Sequence, residues 1–366
     1  MAYGAARRLA TIATLRCVDP IEVVTLADGG QRPEDIAARL VAWLRSARQS
    51  LDIAIYDVRL PGPVGDDVAG AIRAARDAGV SVRIMFNQDE REEEPRPFEP
   101  PPPSTDPSLL EQLGVPLKAI PGWRDLMHHK YVVRDGAAVW TGSSNWTLDN
   151  WSRAENLLAT VESQEVAASY ARDFEQMWKR GRIDERDGFD APTVRVGDAT
   201  VRPWFCPGRG PELSHRIAKR IGAARRRVRI ASPVLTAGPI LGTLSEVLAE
   251  GRVDVLGVCD ATQVDQVFHQ WAANERSHWK TPLLQRALTA FHGKNSTPYA
   301  PGSLHDFMHA KVTVADDVTF IGSFNLSRSG ETNAENVLEI ADPALAERMA
   351  GYIDGLRARY PAMGEQ

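Results

Sequence analysis

The sequence is poor in the features that would place it among secreted or membrane-spanning proteins. It has three cysteines in 366 residues, far apart and with no C-x-x-C pair, which argues against a disulfide scaffold and a structural zinc site. No run approaches the roughly 18 apolar residues that a membrane-spanning helix needs. These absences predict a reduced, cytoplasmic protein that meets any membrane substrate from the aqueous side, with at most peripheral membrane contact.

The sequence also lacks the basic excess that is usual in proteins that bind duplex DNA. Lysine and arginine number 43 and aspartate and glutamate 48, so the formal net charge is -5, although a local basic cleft stays compatible with this balance. The chain is 43% hydrophobic and 25% charged, as ordinary globular proteins are. Its length suits two domains, or one large domain made of two halves.

What the sequence does contain is an internal repeat. Residues 128–161 read HHKYVVRDGAAVWTGSSNWTLDNWSRAENLLATV, and residues 308–342 read MHAKVTVADDVTFIGSFNLSRSGETNAENVLEIAD. Both copies contain H-x-K, then Asp, then G-S-x-N, then A-E-N. The second copy is one residue shorter between its Asp and its Gly-Ser. A composite motif that recurs in the same order points to two related halves.

The flanks of the two motifs repeat as well, with helical apolar spacing and short apolar runs in alternation. This order predicts an α/β fold with a mixed, largely parallel sheet in each half. The predicted divisions are an N-terminal segment at 1–31, a first lobe at 32–182 and a second lobe at 200–366.

Two segments interrupt the alternation. Residues 89–107 are acidic and then rich in proline, which predicts a solvated excursion between elements, with a lid over a site as the alternative. Residues 291–307 are rich in Gly, Pro, Ser and Asn, which predicts a mobile loop ahead of the second motif.

Strand geometry brings the polar residues of each motif together. Residues two apart in a strand point to the same face, so His128 and Lys130 should project together. Asp135-Gly136 predicts the turn of a hairpin whose return strand brings Ser143 and Asn145 toward that face. The second half offers the equivalent residues His309, Lys311, Asp316, Ser323 and Asn325.

These groups suit attack on a phosphodiester. One neutral histidine attacks phosphorus and forms a covalent phosphohistidine, while the other, protonated, gives its proton to the leaving oxygen. The lysines, hydroxyls and amides hold the nonbridging oxygens. Because the lysines supply positive charge, we expect no metal and no other cofactor. Glu155 and Glu335, about ten residues beyond each G-S-x-N, could accept a bond from an imidazole ring.

Several neighbouring residues have a structural interpretation. Asp135 and Asp316 sit at the predicted hairpin turns, where turn formation competes with charge pairing as their role. His129 alternates to the face opposite His128, so we expect it to be structural. His305 is a candidate for the rim of the site.

At these residues the sequence resembles the phospholipase D superfamily, whose signature is H-x-K-x4-D-x6-G-S-x-N. The first copy matches fully, and the second matches with one residue deleted after the Asp, so that Asp317 could replace Asp316. The resemblance implies two lobes packed as one pseudo-twofold unit, with a single site at their interface that a monomer can assemble. It further implies that His128 attacks and His309 is the acid. Its catalytic set is His128, Lys130, Asp135, His309, Lys311 and Asp316, and its phosphate-binding or orienting set is Ser143, Asn145, Glu155, Ser323, Asn325 and Glu335.

The motif leaves the substrate open. Phospholipid hydrolysis or head-group transfer is slightly favoured by the acidic balance and by Trp146 and Trp151, which could be exposed near the first motif or part of the core. A metal-independent nuclease is the alternative, because no membrane anchor is evident and the arginines at 225–229 could bind phosphates. The helix-to-strand position of these arginines equally suits a solvated basic helix end. A non-catalytic phosphate-binding protein is disfavoured, since both motifs are intact.

Overall fold

The computed structural model describes residues 19–88, 105, 107–122, 125–184, 187–298 and 304–363. Most of the predicted N-terminal segment and nearly all of the acidic and proline-rich segment at 89–107 lie outside these ranges. Cys17 lies outside them too. The described residues form two halves, each built around one main sheet.

The first half contains nine strands and five helices in the described ranges. Its strands are β1 (Ile21–Leu26), β2 (Ser50–Ile55), β3 (Val58–Arg59), β4 (Ser81–Gln88), β5 (Leu117–Pro121), β6 (Lys130–Arg134), β7 (Ala138–Gly142), β8 (Trp146–Thr147) and β9 (Asn156–Glu162). Its helices are α1 (Pro33–Arg45), α2 (Gly62–Asp77), α3 (Pro107–Glu111), α4 (Leu148–Ser152) and α5 (Gln164–Arg180).

The second half continues the numbering. Its strands are β10 (Val194–Val196), β11 (Ala199–Phe205), β12 (Arg227–Ala231), β13 (Asp254–Asp260), β14 (Phe291–Lys294), β15 (Val312–Ala315), β16 (Val318–Gly322) and β17 (Asn336–Ala341). Its helices are α6 (Gly210–Ala223), α7 (Gly238–Glu250), α8 (Ala261–Ala272), a 3-10 turn at Glu275–Lys280, α9 (Thr281–Leu288), α10 (Arg328–Thr332) and α11 (Pro343–Arg357).

Both main sheets are mixed. Their strand orders are β1-β9-β7-β6-β2-β4-β5 and β10-β11-β17-β16-β15-β12-β13-β14. The neighbours β2, β4 and β5 are parallel, as are β12, β13 and β14, and the other pairs are antiparallel. The predicted mixed α/β fold in two similar lobes is therefore confirmed. The expectation of largely parallel sheets is wrong, because the motif hairpin and the strand after it add antiparallel neighbours.

A shared core joins the halves. One buried cluster contains side chains from both sheets together with α5 and α11, among them Met85, Leu157, Phe174, Val314, Leu338 and Ile353. Two further clusters fill the space under α1 and α2 in the first half and under α6 and α7 in the second. The two central helices begin at side-chain caps, since Ser163 and Asp342 accept backbone N–H groups of the first helical turn. Helices therefore cover each sheet on the outside, and α5 and α11 lie in the core that the halves share.

The segment before the second motif is partly a strand. Phe291–Lys294 forms β14 and pairs in parallel with β13, so the expectation of a mobile loop is wrong for these residues. A Cβ on Gly293 would lie 2.9 Å from the Cβ of Ala261. The glycine therefore reflects close packing of a buried strand rather than a turn.

The predicted hairpin turns are present in both halves, and their aspartates hold backbone. Asp135 (φ 55°) and Gly136 (φ 59°) join β6 to β7, and Asp316 (φ 51°) joins β15 to β16. The carboxylate of Asp135 accepts the N–H groups of residues 48–50 at 2.6 to 3.0 Å. That of Asp316 accepts those of residues 225–227 at 2.9 to 3.1 Å. Each aspartate thus ties its hairpin to the chain that enters a central strand, and Asp317 does not replace Asp316.

We expect Asp135→Asn to lower the free energy of unfolding by about 1 to 3 kcal/mol near neutral pH, because three backbone N–H donors lose a charged acceptor. Burial raises the pKa of Asp135, but the three N–H donors outweigh it and the net pKa is lowered. A lowered folded pKa stabilises the protein above the unfolded value of about 3.9, and this is lost as the pH falls through the folded pKa. The difference between wild type and variant should therefore shrink at about pH 3 in urea titrations.

Asp317→Asn is the matched control, since the carboxylate of Asp317 makes an exposed ion pair with Arg226. We expect it to change stability by less than about 1 kcal/mol. Unchanged stability in Asp135→Asn, combined with lost turnover, would contradict the structural role and return Asp135 to the reacting groups.

Candidate active site

The two motif histidines meet where the halves exchange backbone hydrogen bonds. The N–H of His128 donates to the carbonyl of Ala334 at 2.9 Å, and the N–H of His309 donates to the carbonyl of Glu155 at 3.1 Å. Each histidine segment is therefore held by the A-E-N segment of the opposite half. The site forms at the interface of the two halves within one chain.

The first histidine is paired with a buried carboxylate from the second half. Nδ1 of His128 lies 2.8 and 2.9 Å from the two carboxylate oxygens of Glu335. Burial lowers the pKa of His128 well below its ordinary value, and the nearby Lys130 and Lys311 lower it further. Burial also raises the pKa of Glu335 to about 7. With Nδ1–H donated to Glu335, the lone pair of the neutral ring is on Nε2, as a nucleophile requires.

The second histidine is paired with an amide instead. Nδ1 of His309 lies 3.0 Å from Oδ1 of Asn156. Burial lowers the pKa of His309 well below its ordinary value, and Lys311 and Lys130 lower it further. Glu155, which the repeat predicts as its partner, does not contact the ring in the structure. Its Oε2 lies 2.9 Å from Nζ of Lys294, and its other oxygen accepts from the Tyr360 hydroxyl.

The two motif lysines are buried beside the histidines. Nζ of Lys130 donates to the carbonyl of His128 at 2.8 Å, and Nζ of Lys311 donates to that of His309 at 2.6 Å. Burial lowers the pKa of Lys130 to about 7, although Glu335 raises it. Burial also lowers the pKa of Lys311 well below its ordinary value, and Lys130 lowers it further. Each ammonium disfavours the other, so an anion between them would restore both charges.

The polar side chains of the two G-S-x-N turns are of two kinds: the serines bond to backbone, and the asparagines do not use their full hydrogen-bonding capacity. A Cβ on Gly142 would lie 2.2 Å from the Leu157 carbonyl oxygen, and one on Gly322 would lie 2.0 Å from that of Asn336, so neither position has room for a side chain. The hydroxyl of Ser143 accepts the Leu157 N–H at 2.9 Å.

The second serine braces in the same way. The hydroxyl of Ser323 accepts the N–H of Asn336 at 3.0 Å. By contrast, the buried Oδ1 atoms of Asn145 and Asn325 have no hydrogen-bond partner among the described residues. The serines hold the turns in place, and the two amides have polar capacity left for a ligand.

The remaining candidates lie outside this cluster or at its edge. Asp135 and Asp316 lie at the hairpin turns, and Asp135 is roughly 20 Å along β6 from His128. His129 is fully buried, with Nε2 3.1 Å from Asp173, in the structural position expected for it. His305 is buried at the edge, its Nδ1 3.4 Å from Asp149.

The two tryptophans and the arginine cluster that the sequence analysis linked to the substrate have structural roles in the fold. Trp146 and Trp151 are both buried, so they present no apolar surface for lipid. The guanidinium groups of Arg226, Arg227 and Arg229 pair with Asp317, Glu347 and Asp254 respectively. Three of the four arginines at 225–229 are therefore paired with carboxylates, which reduces the positive charge that this cluster offers to phosphates.

Sequence reasoning missed three residues around the site. The ring of Tyr56 packs edge-on against His128 at 4.8 Å between centroids, and the same ring lies 4.8 Å from Nζ of Lys130. Asn156 stands next to Glu155 in the repeated A-E-N. The repeat therefore indicated this segment, but the glutamate was predicted as the partner of the imidazole ring. Lys294 lay in the stretch that composition predicted to be a loop.

Comparison with known proteins agrees with this geometry. The sequence model of the family described as "Cardiolipin synthase, PLD-like domain" matches residues 40–178 and 217–357. The chain belongs to the phospholipase D superfamily. The two matched segments coincide with the two copies of the repeat, and the predicted enzyme class, a phosphodiesterase of phospholipase D type, is confirmed.

Relatives in sequence are distant and match part of the chain. The chain is 26% identical over 170 residues to the mitochondrial cardiolipin hydrolase of Xenopus tropicalis, covering 46% of this chain and 73% of that protein. It is 29% identical over 143 residues to the Xenopus laevis protein of the same name, covering 39% of this chain and 60% of that one. Among solved structures, the phosphatidylserine synthase of Haemophilus influenzae Rd KW20 superposes with a TM-score of 0.65 at 12% identity, covering 92% and 86% of the two chains. That likeness shows the fold.

None of the helices that the structure describes is long and apolar enough to cross a membrane. Within the described ranges, no three His, Cys, Asp or Glu side chains are grouped so that they could hold a metal ion.

We expect an anion to be taken up together with protons. Near pH 8 the lowered pKa of Lys130 leaves much of that side chain neutral, and a bound dianion raises the pKa again, so binding should take up as much as about one proton per lysine. Sulfate is a suitable probe because it does not titrate in this range. Titration calorimetry in two buffers of different ionisation enthalpy would measure the uptake. The Lys130→Met variant should lose at least about half of it, because only Lys311 then remains to take up a proton, and equal binding heats in both buffers would contradict the expectation.

Proposed function

We propose that the chain cleaves or transfers the phosphodiester of a phospholipid head group through a covalent phosphohistidine. The observation that supports this most directly is the unequal pair of histidines at the interface. Burial and the two lysines favour the neutral form of His128, whose Nδ1–H is donated to Glu335, and His309 faces the same cluster with a neutral amide partner. Two buried lysines lie beside them, and the Oδ1 atoms of the motif asparagines Asn145 and Asn325 have no hydrogen-bond partner within the described ranges.

In the first step, Nε2 of His128 attacks phosphorus. A nitrogen–phosphorus bond forms, the bond from phosphorus to the leaving oxygen breaks, and the His309 imidazolium gives its proton to that oxygen. Lys130 and Lys311 neutralise the charge that spreads over the nonbridging oxygens, and the Nδ2 groups of Asn145 and Asn325 would donate to them.

In the second step, His309 acts as a base. It takes a proton from water or from an alcohol, whose oxygen attacks phosphorus and breaks the bond to His128. Water as acceptor gives hydrolysis, and an alcohol gives head-group transfer. Both histidines return to their starting protonation states, so the cycle needs no further reactant.

A phospholipid is the substrate class that the observations favour. The matching family description names a cardiolipin synthase, and the relatives named above are cardiolipin hydrolases. In the arginine cluster that could have supported a nuclease, Arg226, Arg227 and Arg229 form ion pairs with carboxylates. The net charge of -5 gives no general attraction to nucleic acid. Trp146 and Trp151 do not contribute to this preference.

We further propose that one chain suffices and that it works in the cytoplasm at the face of a membrane. Each half supplies one imidazole and one ammonium, so the docked halves of a single chain carry the full set. Cys206 and Cys259 are buried free thiols, as suits a reducing compartment.

A substrate panel tests the proposal. We expect the purified full chain, with excess EDTA, to release or transfer the head group of cardiolipin, phosphatidylglycerol or phosphatidylcholine in detergent micelles. It should act at least about 100-fold more slowly on single-stranded DNA, double-stranded DNA and RNA, a ratio within reach of substrate selectivity. Faster action on nucleic acid would establish the nuclease alternative. Activity that EDTA removes and Mg²⁺ or Zn²⁺ restores would contradict the lysine-based charge stabilisation.

The roles of the histidines are tested with two variants. His128→Ala and His309→Ala should each lower turnover by at least about 100-fold, as expected for loss of a nucleophile or a general acid. Acid quenching during turnover, followed by peptide mapping, should place phosphorus on His128. Phosphorus on His309 would reverse the roles, and substantial turnover in either variant would contradict the scheme.

The same two inactive proteins test whether one chain holds the site. Their mixture should stay inactive, because each chain still lacks one imidazole. Recovery of about a quarter of wild-type activity is the signature of sites shared between chains.

A further inference from the structure

The two halves pair their motif segments with different registers. In the first half-site, the N–H of His128 bonds the alanine of the opposite A-E-N, Ala334. In the second, the N–H of His309 bonds the glutamate of the opposite A-E-N, Glu155, rather than its alanine. The pairing is therefore offset by one residue between the two half-sites. In an extended segment such an offset exchanges the side chains that face a neighbour.

Asn156 occupies the place beside His309 that Glu335 occupies beside His128. Its Oδ1 lies 3.0 Å from Nδ1 of His309 and accepts the Ser143 hydroxyl at 2.8 Å. Its Nδ2 donates to the carbonyl of Asn150 at 3.2 Å. These bonds fix the orientation of the amide, because the oxygen has two donors and the nitrogen has an acceptor. The side chain is fully buried, so it has no alternative partner in water.

Glu155 is committed to a separate buried ion pair. Nζ of Lys294 lies 2.9 Å from Glu155 and 3.1 Å from Asp28, and it donates to the carbonyl of Arg153 at 3.0 Å. The hydroxyl of Tyr360 also donates to Glu155. If Glu155 turned toward the imidazole ring, this buried lysine would lose one of its two carboxylate partners and keep only Asp28, which disfavours that rotation.

The equivalent asparagine of the other half has a different task. Oδ1 of Asn336 lies 3.2 Å from Nδ1 of His129, and its Nδ2 donates to Thr141 and Tyr170 inside the shared core. Asn336 therefore contacts no motif histidine. The repeat places the same residue at both positions, and only the offset register brings one of them to the site.

We propose that Asn156 is the positioning residue of His309 and that the Glu155–Lys294 ion pair keeps the repeat's glutamate away from this ring. The amide oxygen holds Nδ1–H, which directs Nε2 toward the phosphorus. The chemical roles that this assigns rest on the proposed function, whereas the pairing itself does not.

The unequal partners suit unequal tasks. A carboxylate stabilises an imidazolium by charge, and a neutral amide does not, so His309 gives up its proton more readily than it would with Glu155. Burial lowers the pKa of His309, and the charged or titratable groups around the ring act in the same direction: Lys311, Lys130, His128 and His305. The nearby Asp149 faces His305. An imidazolium in these surroundings is a strong proton donor to the leaving oxygen.

The test replaces the amide with a carboxylate of the same shape. In Asn156→Asp, the pKa of His309 should rise by about 1 to 3 units, because an opposite charge then contacts Nδ1–H. The full chain labelled with ¹⁵N-histidine reports this directly in an NMR pH titration, with the signal assigned by its loss in His309→Gln. The basic limb of the kcat/KM profile on the phospholipid that wild type turns over should move to higher pH by a similar amount.

Asn336→Asp is the matched control at the equivalent position of the repeat. In this variant the titration of His309 should move by less than about 0.5 units, since Asn336 does not contact that ring. A His309 titration that is unchanged in folded Asn156→Asp, or that shifts equally in Asn336→Asp, would overturn the proposal.

A second variant covers the case in which the aspartate prevents folding. Asn156→Ala removes the acceptor, so neutral His309 should show a mixture of Nδ1–H and Nε2–H tautomers in its ¹⁵N shifts, with kcat lowered about 10- to 100-fold and KM little changed. A single unchanged tautomer would overturn the proposal. Because the NMR measurements need no substrate, wild type that fails on every phospholipid would refute the proposed function and leave this inference standing.

Discussion

The site depends on the backbone pairing of each histidine segment with the A-E-N segment of the other half. The bonds from His128 to Ala334 and from His309 to Glu155 decide which side chain stands beside each ring. They also make the site conditional on docking of the halves, since neither half alone fixes its own imidazole. The shared core that includes α5 and α11 holds the two sheets in the relation that these bonds require.

Charge burial is the second constraint, and it follows from the first. Docking removes Lys130, Lys311, Lys294, Glu155 and Glu335 from water together. Such groups persist only when they are paired or neutralised. Lys294 is paired with Glu155 and so is satisfied within the fold. The motif lysines donate to backbone carbonyls and repel each other. Their pKa values are therefore lowered, and a bound anion would restore their charges. The fold thus separates a structural lysine from the two lysines that we propose bind the substrate phosphate.

Much of this could be read from the sequence, and the failures have physical causes. Helical periodicity predicted helices in the flanks of the motifs, and the Asp135-Gly136 turn predicted the motif hairpin. Local spacing and turn chemistry determine both. The register between distant segments has no local signal, so the exchange of Glu155 for Asn156 could not be predicted. Composition was misleading at β14, where Gly293 serves close packing rather than a turn.

A duplicated fold has to break its symmetry if its two histidines are to do different work on one substrate. Here the difference comes from residues outside the repeated motif. Asp28 follows β1, Lys294 ends β14 and Tyr360 follows α11, and all three converge on Glu155. No lysine is hydrogen-bonded to Glu335 among its described partners, and its carboxylate contacts His128. The motif sequence can therefore stay nearly identical in both halves while its surroundings give one imidazole a carboxylate and the other an amide.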